Sequence, residues 1–350
     1  MYEITPCAVN GGAVIVKKTS CVNILILLLL IPFLFLTFSC SLFESDEEKA
    51  ERHYQAGMQA IEEKKTDAAV IHFRNAVQKN PYHAEAHYRL GTLYIGSKQP
   101  HLAEGSFKQA IKYNPDLHEA KRALALLYFQ NRAYSRAIPL YKELMERPGA
   151  DIETLLILGT ALINTGQVAE AKTILSQAVS TYPDNASAKI NMARVLLLEK
   201  KPEEARTVME AAAGIDHDNI LTRLSLAQFY EGTRLHALAE STFLAITHDF
   251  PDKPIAYLAL ARFYLRQGRL DDAETLLREA TATELKDPSL FQALAIVQHR
   301  KNNRAAALRS FQDAVAASPD DQRSAILLAD YYVVLKQYPQ AIETYEKIIG

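Results

Sequence analysis

Residues 84–115 read AEAHYRLGTLYIGSKQPHLAEGSFKQAIKYNP. Gly91, Gly96, Ser97 and Lys98 have the residue types of a phosphate-binding loop, yet the apolar residues around them follow a different rule. Leu90, Leu93 and Tyr94, then Ala103, Phe107, Ala110 and Ile111, recur at three- and four-residue intervals. That spacing is the stripe of two amphipathic helices, joined by the polar turn GSKQPH, which is short enough to make them antiparallel neighbours. A phosphate loop needs a strand, a glycine loop ending in Gly-Lys-Ser/Thr, and then a helix. Here the order is Gly-Ser-Lys, and Thr92 to Ile95, which would have to be loop, fall on a helix face. The stretch is a helical hairpin, and Gly91 is a packing residue.

The hairpin repeats along the chain. Ala69, Ala103, Ala137, Ala171, Ala205, Ala239, Ala273, Ala307 and Ala341 are spaced by 34 residues without an insertion. Twelve residues before each alanine stands a small residue: Gly57, Gly91, Ala125, Gly159, Ala193, Ala227, Ala261, Ala295 or Ala329. Four residues after it stands a large apolar one, from Phe73 and Phe107 through Tyr141, Leu175, Met209, Phe243, Leu277 and Phe311 to Tyr345. Small residues let two helix backbones approach, and the large side chain fills the gap beside them. Twelve residues after the alanine come Pro81, Pro115, Pro183, Pro251 and Pro319, which end the second helix because proline cannot continue the hydrogen-bond ladder and disfavours helix in the residue before it. Gly149, His217 and Leu285 break this column, which leaves the turn geometry open at those three places. One hairpin cannot cover its own apolar face, so each stacks on the next.

These columns resemble the tetratricopeptide repeat, a 34-residue helix-turn-helix with small residues at its eighth and twentieth places and proline at its thirty-second. The resemblance implies an all-α fold: an α-α superhelix, or solenoid, of about nine repeats beginning at residues 50, 84, 118, 152, 186, 220, 254, 288 and 322, the last incomplete. It also implies a concave groove lined by the second, fifth, sixth, ninth, twelfth and thirteenth residues of each unit, through which other proteins or peptides bind. The candidate groove residues are Tyr54, Tyr88, Arg89, Arg122, Phe129, Arg194, Arg262, Arg266 and Arg300, because aromatic and arginine side chains are the usual energetic anchors of interfaces. Relatives that clamp a terminal carboxylate use lysine and asparagine. The ninth positions here hold no asparagine, so that specialisation is not expected.

With 23% charged and 49% hydrophobic residues and a formal net charge of −2, the 350-residue chain is ordered and has no global basic field, so nucleic acid is not expected as a partner. All three cysteines lie at or before Cys40, leaving the repeats without a thiol for disulfides, zinc or nucleophilic catalysis. His83 and His87 stand four apart, as two metal ligands on one helix face would, but no third ligand is evident. No Ser-His-Asp, Cys-His or paired-carboxylate arrangement has supporting context. The expectation is a protein without metal, cofactor or enzymatic activity.

Residues 24–38, ILILLLLIPFLFLTF, are a 15-residue apolar run preceded by Lys17 and Lys18 and followed by SCSLFESDEE. The run is short for a membrane span and suits a signal peptide occupying residues 1–40. The first 15 residues are foreign to such a leader, and a start at Val16 would give a compact one. Ser39 and Cys40 resemble a bacterial lipoprotein box, which implies lipidation of Cys40, whereas Thr37 and Phe38 depart from its usual residues; the other reading is an uncleaved signal anchor. Ser41 after the cysteine implies an outer-membrane destination facing the periplasm, with residues 41–49 as an acidic tether to the array at 50–350. The last unit stops inside its second helix with Ile348 and Ile349 uncovered, which is expected of a piece of a longer array or of a face covered by a partner.

The function expected from these readings is that of an exported, membrane-anchored scaffold for protein–protein interaction in a cell-envelope complex. Its arrangement resembles the repeat lipoproteins of exopolysaccharide export and exosortase-type protein sorting. The alternative is the regulatory region of a longer chain with an enzyme domain beyond residue 350.

Overall fold

The computed structural model describes residues 44–146, 151–283 and 285–349. The leader, Cys40, Pro148 and Gly149 lie outside the described residues. The described residues are all-helical, with eighteen helices and no strand among them. They belong to two compact units, one running to Leu144 and the other from Met145. The first unit holds the hairpins α1 (Asp46–Glu62) and α2 (Thr66–Lys79), α3 (Ala84–Gly96) and α4 (Pro100–Tyr113), and α5 (His118–Gln130) and α6 (Tyr134–Met145). The second holds α7 (Ile152–Asn164) and α8 (Val168–Thr181), α9 (Ala186–Leu198) and α10 (Pro202–Ile215), and α11 (Ile220–Gly232) and α12 (His236–Asp249). It continues with α13 (Pro254–Arg266) and α14 (Leu270–Ala282), α15 (Pro288–Arg300) and α16 (Arg304–Ala317), and α17 (Gln322–Val334) and α18 (Tyr338–Ile349).

From the second hairpin onward, every first helix begins at the residue that opens its 34-residue unit. The first does not. Residues 46–49, expected in a solvated tether, are the opening turn of α1. Ser45 accepts from the Glu48 amide while the Glu48 carboxylate accepts from the Ser45 amide, a capping box that satisfies two otherwise orphan donors. Asp46, Glu47 and Glu48 also sit where the helix dipole favours negative charge, and Ala50 is fully buried.

Each hairpin closes by the same backbone device. The amide of Lys65 donates to the Ala60 carbonyl at 2.8 Å and that of Lys64 to Ile61 at 2.9 Å, the paired bonds of a Schellman turn. Equivalent pairs recur in all nine described hairpins, and the residue that must take positive φ is Lys64, Lys98, Arg132, Gly166, Lys200, Arg234, Gly268, Asn302 or Lys336, one every 34 residues. The second helices end before proline as expected: Asn80, Asn114, Tyr182, Phe250 and Ser318 are all driven out of helical backbone. Asp216, which precedes His217 rather than proline, adopts a similar conformation, with φ −121° and ψ 52°, and the Asn219 amide closes the turn onto its carbonyl at 3.1 Å. The turn therefore survives there without proline.

Packing follows the columns. Ala69, Ala103, Ala137, Ala171, Ala205, Ala239, Ala273 and Ala307 have no accessible surface and Ala341 has little, so second helices touch their neighbours at backbone distance. A Cβ built on Gly57 would lie 2.7 Å from the Phe73 ring, and one on Gly159 would lie 2.6 Å from Leu175; Gly91 is pressed likewise by Phe107. The small residue of the first helix and the large residue of the second thus fill one another's space within a hairpin. Burying each such phenylalanine contributes about 1.5–3 kcal/mol. Within the second unit, each second helix packs on the following first helix, and the first helices α7, α9, α11, α13 and α15 also touch in succession.

Candidate protein-interaction surface

Residues four or seven apart in a helix share a side, so the second, ninth and thirteenth places of a first helix form one outward stripe. Several residues expected to line a groove do not present a free side chain there. Tyr54 is half-buried, its ring 5.7 Å from Phe73 and 4.9 Å from His83. Tyr88 leans on Phe107 with centroids 6.1 Å apart, and the Arg89 guanidinium lies 5.4 Å over the Tyr88 ring. Phe129 meets the Tyr134 ring edge-on at 5.4 Å. These three aromatics are spent on packing inside the first unit. Arg122 is exposed. Beside them Glu47, Glu51, Tyr82, His83, Glu85 and Tyr113 line an open cleft. His83 Nδ1 accepts from the Ala86 amide at 3.3 Å, so its Nε2 carries the proton that faces Glu51 at 3.3 Å. His87 Nε2 donates to the Pro81 carbonyl at 2.9 Å, while burial pulls its pKa down. The two rings are therefore committed to different partners.

In the second unit the candidate arginines divide. Arg194 is half-buried and donates to Asn191 at 3.0 Å. Arg266 grips Glu231 of the preceding first helix through both Nε, at 2.6 Å, and Nη2, a two-toothed bond that pins α13 to α11. Arg262 and Arg300 are exposed and form no ion pair among the described residues. Next to them the structure exposes aliphatic side chains: Leu198 at 51%, Leu221 at 60%, Ile255 at 43% and Ile296 at 46%.

The opposite, second-helix side is laced by ion pairs that join one hairpin to the next. Glu104 of α4 accepts from the Tyr128 hydroxyl of α5 at 3.2 Å and pairs with Arg136 of α6, which covers the Tyr128 ring at 4.0 Å. Hydrogen bonding by Lys108, assisted by Arg136 and Tyr128, holds the Glu104 carboxyl at about 2. Glu240, Tyr264 and Arg269 repeat this triad four hairpins further on, and Glu274 with Lys301 bridges the next pair. Tyr230, bonded to Glu210 at 2.9 Å, is pushed up to about 12, first by burial and then by that carboxylate.

Two family models for the tetratricopeptide repeat match, one over residues 60–127, 128–194, 166–228 and 236–296, the other over 293–350. The chain belongs to the tetratricopeptide repeat family. Its curated relative Anaphase-promoting complex subunit 6 of Arabidopsis thaliana is 23% identical over 221 residues, 62% of this chain and 41% of that protein. This tetratricopeptide chain thus spans less than half the length of that relative. Among solved structures, a tetratricopeptide repeat protein from Parabacteroides merdae is similar at 14% identity and a TM-score of 0.49, covering 70% of this chain and 97% of its own. Naa15/Naa10 bound to HypK-THB is similar at 13% identity and a TM-score of 0.42, covering 86% and 63%. A stack of tetratricopeptide hairpins is a scaffold suited to protein–protein interaction. Among the described residues no helix is long and apolar enough to cross a membrane, and no group of three or more His, Cys, Asp or Glu side chains is placed to hold a metal.

The exposed aliphatics of α9, α11, α13 and α15 escaped the sequence reading, which looked for aromatic and arginine anchors. A signal for them was present. At the outward places of these helices stand Leu198, Leu221, Ile255 and Ile296, where a solvated face would carry polar residues.

Proposed function

We propose that the chain is an exported, membrane-anchored tetratricopeptide scaffold that binds another protein on its first-helix face and so assembles a cell-envelope complex, of the kind serving polysaccharide export or protein sorting. The observation that carries the binding role is the face itself: exposed Ile255 and Ile296 beside the unpaired Arg262 and Arg300, on helices that touch side by side. Aliphatic surface next to desolvatable arginine is the composition of an interface core. The anchoring role rests on the sequence: the apolar run 24–38, the lysines before it and the Ser39–Cys40 pair. Cys40 carries the lipid, and the outer membrane is its destination.

The test has two arms. A photo-crosslinking residue placed at Ile255 should capture a protein from envelope extract, and the same residue at exposed Gly105 on a second helix should not; capture only from the second-helix position would move the binding surface. Cys40→Ser should leave the chain unprocessed or release it into soluble fractions. Normal fractionation with the usual processed mass would remove the lipid anchor.

A further inference from the structure

We propose that the face formed by α9, α11, α13 and α15 holds a segment of a partner protein that carries aliphatic side chains interspersed with carboxylates. This rests on the reading of the first-helix face as the binding surface and adds the chemistry of what binds. The four helices contain Lys189, Arg194, Arg223, Arg262, Arg266 and Arg300, against a single carboxylate, Glu231. Glu231 is already consumed by Arg266, and Arg223 by Asp249 of α12. Three of the second helices of the same hairpins carry the acids, with Glu203, Glu204 and Glu210 on α10, Glu240 and Asp249 on α12 and Asp271, Asp272, Glu274 and Glu279 on α14, whereas α16 carries Arg304 and Arg309 against Asp313. A chain of net charge −2 therefore segregates its charge, leaving one helix layer cationic. In the first unit the corresponding layer is not cationic, since α1 alone carries Asp46, Glu47, Glu48, Glu51 and Glu62.

On the cationic layer, Ile255 shares a side with Arg262, and Ile296 shares one with Arg300. Neighbouring helix axes lie about 8–10 Å apart, roughly three residues of extended chain. Leu221 and Ile255 hold the same, second place of their units, so a segment crossing from α11 to α13 meets an aliphatic contact about every third residue, with carboxylates between them reaching Arg262 and, towards α15, Arg300 beside Ile296. Complementary charge speeds encounter and rejects basic segments, while the aliphatic contacts supply affinity.

The probe is a fluorescent peptide of Leu-Asp-Asp repeats bound to the full chain, beside Leu-Lys-Lys and Ser-Asp-Asp peptides. Expected is binding by the first alone, weakened as salt rises, with Arg262→Ala, Arg300→Ala and Ile255→Ser each weakening it by about fivefold or more. These residues are exposed, so circular dichroism should be unchanged in all three variants. Leu-Lys-Lys binding as tightly, or Leu-Asp-Asp not binding, overturns the acidic assignment and leaves the surface itself standing if the Ile255 crosslinker still captures a protein. Peptide binding that ignores all three substitutions, together with crosslinks from the second-helix position only, removes both.

Discussion

At Gly57 and Gly105 the same substitution should act in opposite directions. Both are helical, and alanine is intrinsically better than glycine in a helix by about 1 kcal/mol. Nothing lies within 4 Å of a Cβ built on Gly105, so Gly105→Ala should raise the urea midpoint by that order. At Gly57 the new methyl would sit 2.7 Å from the fully buried Phe73 ring, which has nowhere to go, and overpacking of that kind costs about 1–3 kcal/mol. Gly57→Ala should therefore destabilise; two upward shifts would show that the ring moves freely. The positive-φ residues give a second case. Lys200 holds φ 62°, a region that costs a residue with a Cβ about 1–2 kcal/mol. Lys200→Gly should stabilise by somewhat less than that, because glycine also loses more chain entropy on folding. A lower melting temperature would mean that the lysine side chain earns its place through contacts on the turn.

The hairpin is the scale at which charge matters, because Glu104 of α4 ties α5 and α6 to it. Its folded pKa, about 2, lies below the ordinary 4.5, so the bridge contributes stability above about pH 4.5 and loses it as pH falls towards about 2. The stability difference between wild type and Glu104→Gln, read by urea unfolding, should be largest near neutrality and shrink through that window. A difference independent of pH would assign the effect to packing. The hairpin is also where sequence was most legible. Small and large columns with a fixed period revealed the helices, their pairing and their starts, since backbone approach demands small side chains wherever it occurs. Less legible were features that residue type does not encode. Seven of the nine positive-φ positions carry Lys, Arg or Asn, so only Gly166 and Gly268 offered the customary glycine signal. The start of α1 depended on a cap at Ser45 that overrode the register. Tyr54, Tyr88 and Phe129 looked like anchors because of their type, yet neighbouring rings decide their exposure. The cationic layer was written in the distribution of acids between first and second helices, and a total charge near zero hid it.

At the scale of a whole unit, stability is transmitted from hairpin to hairpin. Within the second unit, each helix contacts its sequence neighbours, and the first helices from α7 to α15 contact in succession. Such a stack behaves as a row of locally coupled units, in which a perturbation weakens its own hairpin and those beside it, and decays with distance along the row. Ala205 of α10 has no accessible surface, so Ala205→Leu must push α9, α10 and α11 apart at a cost of about 1–3 kcal/mol. Hydrogen exchange of the variant should quicken most in α9 to α12 and least in α1 to α4. It should also loosen the α11–α13 clasp made by Glu231 and Arg266, weakening the acidic peptide although Ala205 lies on the opposite helix layer. Uniform quickening over every helix would instead mean that the chain unfolds as one cooperative body, and neighbour coupling would no longer explain how packing in a second helix reaches the first-helix face.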